Sequence, residues 1–179
     1  GLSPERLVTR QGESVFCDAL AGTARSGAEG ALQASSKELV EHNHVVREIV
    51  RSLTPLCRTV DAAKTPQVRV LRHLSHLLTP VRGELDGPHH VLTLVEGVHP
   101  TPAIGGVPGA GALAFLREVE GRDRGLYAGP IGWFDQTGDG DFWVALRCGL
   151  IEGTRAQVWA GAGIVADSQP EAELAETQL

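Results

Sequence analysis

Residues 33–53 admit one long element. Leu39, Val46, Ile49, Val50 and Leu53 recur at helical spacing. Ser35-x-x-Glu38 has the form of a capping box at the start, and Pro55 ends the run. An amphipathic helix of this length must bury its apolar stripe against another layer. The flanking sequence supplies strands for that layer. Residues 6–10 and 14–19 alternate around Gln11-Gly12 and predict a strand pair, followed by a glycine- and alanine-rich connection over 21–30. Further on, 66–78 is expected to be helical with Pro80 beyond it, and a third helix is expected over 110–120, after the Gly/Pro-rich run 97–111. Residues 131–135, the turn-rich 136–140 and a strand over 142–151 predict a hairpin; 157–160 is a further strand, and 168–179 a last helix. Strands towards both ends with helices between them predict an α+β domain, a largely antiparallel sheet with helices packed on one face.

Charge and composition narrow the partners. Lys+Arg number 16 against 22 Asp+Glu, a net charge of −6, with no long basic run, which argues against nucleic acid or an anionic membrane as partner. No apolar stretch approaches the ~20 residues of a membrane span. Cys17, Cys57 and Cys148 form no CxxC and cannot all pair, so a reducing, cytoplasmic setting is expected. The absence of methionine, even at position 1, suggests a processed, tagged or excised piece.

Several residues could carry chemistry. Glu38 and Glu41 are three apart on one helix, and Glu173 and Glu176 repeat that spacing on the last. Two such helices facing each other would gather four carboxylates, the donor set of a hard divalent cation. Glu-x-x-Glu is equally common on solvated helix faces, and Glu38 doubles as the partner of Ser35. The glycine runs 105–111 and 161–163 lack the spacing of a dinucleotide or P-loop fingerprint. His73 and His76 would share a helical face but have no third ligand at zinc spacing. Arg147 falls among Val144, Leu146 and Leu150, where it either meets an anion or points outward by strand alternation.

With these residues in view, the chain resembles the chorismate-utilising enzymes, and within them the isochorismate synthases. The resemblance is carried by Ser3-Pro4-Glu5, Leu20-Ala21-Gly22-Thr23, Ser36-Lys37-Glu38-Leu39-Val40-Glu41-His42 and His76-Leu77. It continues through His99-Pro100-Thr101-Pro102-Ala103-Ile104-Gly105-Gly106, Arg124-Gly125-Leu126-Tyr127-Ala128-Gly129, Ala145-Leu146-Arg147-Cys148, Ala160-Gly161-Ala162-Gly163 and Glu173-x-x-Glu176-Thr177. It implies Mg²⁺ held directly by Glu41 and Glu176 and through waters by Glu38 and Glu173. It implies that Arg147 and Tyr127 hold the enolpyruvyl carboxylate of chorismate. Gly161 and Gly163 would approach the substrate by their backbone, while Gly22, Thr23 and His76 line the ring pocket. Glu5 would be the general acid that protonates the departing 4-hydroxyl as water adds at C2, so it must stay protonated near neutral pH.

Ala103, where ammonia-using and salicylate-forming relatives usually have threonine, favours an isochorismate synthase with no glutamine amidotransferase partner. A salicylate synthase of the same family, or a chorismate-binding fragment without turnover, is the alternative. Isochorismate serves siderophore and menaquinone routes alike; the context of Trp133 and Cys148 leans towards siderophore-type relatives. The family's catalytic unit is roughly double this length, and its water-activating lysine lies upstream of these motifs. Residues 1–179 are therefore expected to be the C-terminal part of a single chorismate-binding catalytic domain, its N-terminal part absent.

Overall fold

The computed structural model describes residues 1–178; Leu179, the expected end of the last helix, lies outside the described residues. Strands β1 (Arg6–Gln11) and β2 (Ser14–Arg25) form the expected hairpin, with Gln11 opposite Ser14 and Gly12 at φ +59° in the turn. Strand β2 runs further than expected, to Arg25 within the glycine-rich connection, and is interrupted by a register shift between Ala21 and Thr23. Gly22 takes φ +80° at that bulge, a conformation costly for a side-chain-bearing residue.

A short helix α1 (Glu29–Ala34) precedes α2 (Ser36–Leu53), whose start is fixed by Ser35 Oγ accepting from the Glu38 amide. The helix expected over 66–78 does not form. That segment contributes β4 (Gln67–Val70) and the start of β5 (Leu74–Leu85), after β3 (Cys57–Ala62). Leu71, Leu74 and Leu78 satisfy helical spacing, but residues 75–79 of β5 are buried on both faces, and a strand covered twice shows no alternation. Pro80 lies within β5, opposite Asp18.

Helix α3 (Val91–Val98), which the sequence reading did not anticipate, is capped by His90 Nδ1 accepting from Leu92 N at 3.1 Å. Helices α4 (Pro102–Gly105) and α5 (Gly109–Val119) follow; α5 matches the expected third helix. Strands β6 (Pro130–Phe134) and β7 (Gly140–Val144) form the second hairpin. The strand expected over 142–151 stops at Val144; the chain turns, with Arg147 at φ +47°, before β8 (Gly149–Glu152) and β9 (Arg155–Val158) pair as a separate ribbon. Arg147 therefore sits in a turn, not in mid-strand. Helix α6 (Pro170–Glu176) closes the described chain.

The main sheet is antiparallel at every pairing, in the order β3-β5-β2-β1-β7-β6, with β4 beside β3 along the same edge of β5. Val45, Ile49 and Leu53 of α2 and Val91 and Leu94 of α3 pack on Val8, Val15, Val81 and Val144 of the sheet. Each such aliphatic side chain contributes about 1.5–3 kcal/mol on burial. This is the α+β architecture expected, with α2 and α3 against one face. Among the described residues no helix is long and apolar enough to cross a membrane.

Candidate active site

A cleft of about 820 Å³ opens beside the β2 bulge and the turn after β7. Every site residue the resemblance implied lines it except Glu38 and Glu173, which line an adjoining recess with Lys37 and Glu176; His73 does not reach it. Residues from distant parts of the chain thus meet at one place because β2, β5 and β7 end or bend there.

Glu5 enters the cleft from the residue before β1. Its carbonyl accepts from Val144 N at 3.0 Å, and its own amide donates to Ser3 Oγ at 3.3 Å. The preceding Pro4 carbonyl accepts from Arg69 Nη1 at 3.2 Å, and Arg69 Nη2 reaches Asp18 Oδ2 at 3.3 Å, so β4 and β2 together hold this segment. Only 5 % of Glu5 is exposed. Burial pushes its pKa up to about 8, against the opposing pull of the Arg147 charge and the Thr101 hydroxyl. Thr101 Oγ1 is close enough to exert that pull but makes no geometrically acceptable hydrogen bond; it is buried without a partner. A carboxyl held neutral at pH 7 inside a cleft can donate a proton.

Across from Glu5, Arg147 Nη2 donates to His76 Nε2 at 2.9 Å, and His76 Nδ1 lies 3.1 Å from Thr23 Oγ1. A guanidinium only donates, so Nε2 must accept and the imidazole proton belongs on Nδ1. Burial, and then the Arg147 charge, lower the His76 pKa to about 4, which keeps the ring neutral. The other guanidinium donors of Arg147, a solvent-accessible residue, are left for an anion in the cleft. Tyr127 stacks on Trp159 with ring centroids 6.3 Å apart and planes 9° from parallel. A Cβ at Gly161 would lie 3.0 Å from the Tyr127 hydroxyl, so glycine there gives the phenol its place. Ala103 sits on α4, whose Ile104 carbonyl accepts from Arg124 Nη1 at 2.9 Å.

The carboxylates come from α2 and α6, as the spacing suggested. Glu38 Oε2 accepts from the Thr23 amide at 3.0 Å, a bond the Gly22 bulge makes available. Lys37 Nζ bridges Glu38 Oε1 (3.1 Å) and Glu173 Oε1 (2.7 Å), while Glu173 Oε2 is buried with no partner among the described residues. Desolvation, then the neighbouring Glu38 charge, raises the Glu41 pKa to about 7 and also raises that of Glu176. Among the described residues no three His, Cys, Asp or Glu side chains converge at ligating distance. The donor set nonetheless fits a hard dication: it is all carboxylate oxygen, its members raise one another's pKa, and one buried oxygen is unpartnered. Gly163 belongs to the same design, because a Cβ there would collide with the Glu41 carboxylate.

The sequence reading missed Arg69 and Asp18, which anchor Glu5 from outside the cleft, and Trp159, which supports Tyr127. Asp18 was signalled only as an acid within the apolar run 15–21, and Trp159 by its place just before the 161–163 glycines.

Comparison with known proteins identifies the family. The chorismate binding enzyme family matches residues 1–179. The isochorismate synthase MenF of Bacillus subtilis is 41 % identical, covering 100 % of this chain and 40 % of its own length. The salicylate biosynthesis isochorismate synthase of Pseudomonas aeruginosa is also 41 % identical over 100 % of this chain and 39 % of its own. A structure ascribed to the isochorismate synthase DhbC of Bacillus anthracis superposes with a TM-score of 0.95 at 38 % identity, over 99 % of this chain and 50 % of that one. Anthranilate synthase component I of Streptococcus pneumoniae superposes at 0.86 with 30 % identity, over 99 % of this chain and 41 % of its own. The chain thus spans half or less of the length of these relatives. On the match across its whole length, and on identity and fold shared with these enzymes, this chain belongs to the chorismate binding enzyme family.

Proposed function

We propose that the protein carrying this chain isomerises chorismate to isochorismate in the cleft, by adding water at C2 and expelling the 4-hydroxyl. The buried Glu5 carboxyl, its pKa pushed up to about 8 by burial, in one cleft with the Arg147–His76 pair is what carries the reading. Arg147 and Tyr127 hold the enolpyruvyl carboxylate, the guanidinium by two parallel hydrogen bonds. The ring lies over Gly22 and Thr23 beside His76, with the 161–163 backbone close to its other side. Glu5 delivers its proton to the 4-oxygen, which leaves as water while the ring double bonds shift and a second water bonds to C2. The proton lost by that second water is taken by a base from outside these residues, so the sum is an isomerisation. Glu41 and Glu176 would bind Mg²⁺ directly, with Glu38 and Glu173 holding its waters. When bound, the metal would neutralise the ring carboxylate and lower the cost of shifting charge towards it.

The test is product analysis of the intact protein with chorismate and Mg²⁺. Isochorismate as the accumulating product supports the reading. Salicylate with released pyruvate would move the assignment to the salicylate-forming branch, and no turnover would contradict it.

A further inference from the structure

Lys37 stands where two helices bring their carboxylates together. Its ammonium is 2.7 Å from Glu173 Oε1 on α6 and 3.1 Å from Glu38 Oε1 on α2. Helix α6 has little else to seat it: it is seven residues long, lacks a side-chain N-cap, and leaves Leu174 62 % exposed, with Glu173 its buried residue. Among the described residues the second Glu173 oxygen is buried without a partner.

We propose that Lys37 is a placeholder cation: it bridges Glu38 and Glu173 while the metal site is empty, and releases both carboxylates when Mg²⁺ binds. The inference rests on the four-carboxylate metal reading above. Without any cation, Glu38, Glu41, Glu173 and Glu176 would repel one another and push α6 from α2. With a dication and its waters among them, an ammonium on the same two oxygens would be repelled and would compete for the same acceptors. Two oxygens, one on α2 and one on α6, are committed to Nζ, and among the described residues no three His, Cys, Asp or Glu side chains converge. Lys37 thereby keeps α6 in place before the metal arrives, at the expense of metal affinity.

The experiment compares the intact wild-type protein with Lys37→Met and Lys37→Arg, by thermal unfolding with and without Mg²⁺ and by calorimetric Mg²⁺ titration. A ligand that binds the native state stabilises it according to its affinity, so competition is visible as a smaller Mg²⁺-induced rise in Tm. Lys37→Met should melt below wild type without Mg²⁺ and regain the difference at saturating Mg²⁺, with Mg²⁺ bound at least about tenfold more tightly. Lys37→Arg, which keeps the charge, should show no such tightening. Unchanged or weaker Mg²⁺ binding by Lys37→Met, or a Tm deficit equal with and without Mg²⁺, would overturn the inference. If turnover stays Mg²⁺-dependent in that case, the metal reading survives it. If wild type neither binds Mg²⁺ nor needs it for turnover, the metal reading fails and the inference falls with it.

Discussion

At the scale of single residues, the site depends on side chains kept in unusual protonation states by burial. Glu5 ionises in the unfolded chain near 4.5 but in the fold only near about 8. Turnover should therefore fall as pH rises through about 8, where the acid loses its proton. The stability contribution has the same sense: a raised carboxyl pKa favours the fold fully below about 4.5 and the advantage is lost as pH rises towards about 8. Glu5→Gln should accordingly lose less stability than wild type between pH 5 and 8.5, read by denaturant unfolding at each pH. His76 is the counterpart, kept neutral by burial and then by the Arg147 charge beside it. His76→Gln keeps an acceptor for Arg147 and should leave KM for chorismate within a few-fold. His76→Phe removes a hydrogen bond to a charged group, worth about 1.5 kcal/mol or more, and should raise KM roughly tenfold. Glu5 and the pocket role of His76 were reached through the family resemblance that Ser3-Pro4-Glu5 and His76-Leu77 help to carry, not through their own spacing. The setting of Arg147 was not legible: Val144, Leu146 and Leu150 imitate strand alternation, and nothing in the residues signals its positive φ.

At the scale of elements, the site is made by interruptions. The Gly22 bulge turns the Thr23 amide towards Glu38, and the break after β7 swings Arg147 towards β5. Gly163 completes the set by leaving space that a methyl group would take from Glu41. Gly163→Ala should displace that carboxylate and weaken Mg²⁺ binding by about 10–100-fold, the range typical when a ligand's surroundings are disturbed, with an unchanged far-ultraviolet spectrum. Unaltered Mg²⁺ affinity would remove Glu41 from the metal set. Helix α2 was legible to within a few residues because periodicity, cap and stop agree. Strand β5 was not, because 75–79 is buried on both faces and its leucines fit a helical pattern as well as a strand. The residue that caps α3 is a histidine, outside the usual capping set, and this hid its start.

At the scale of the whole molecule, one layer of the sheet is well covered and other surfaces are not. Strand β6 and the β8–β9 ribbon are exposed along their full lengths, with Ile131 at 61 %, Trp133 at 59 %, Ile151 at 77 % and Val158 at 79 % exposure. The 179-residue chain produced alone should bind a hydrophobic dye, and Trp133→Ser with Ile131→Ser should reduce that signal without unfolding the main sheet. The chain spans half or less of the length of the relatives it matches, and the sequence led to the expectation that an N-terminal part of the domain is absent from these residues. The sequence could not show which apolar side chains would be left uncovered, because exposure depends on the order of strands rather than on any local pattern.

The central claim is that Glu5 is the acid that releases the 4-hydroxyl of a chorismate held by Arg147. It is tested most directly by measuring turnover and chorismate binding side by side in the intact Glu5→Gln protein. The account predicts a rate reduced by about 10²–10⁴-fold, the usual contribution of a positioned acid, with the dissociation constant for chorismate within a few-fold of wild type. A near-normal rate would contradict it.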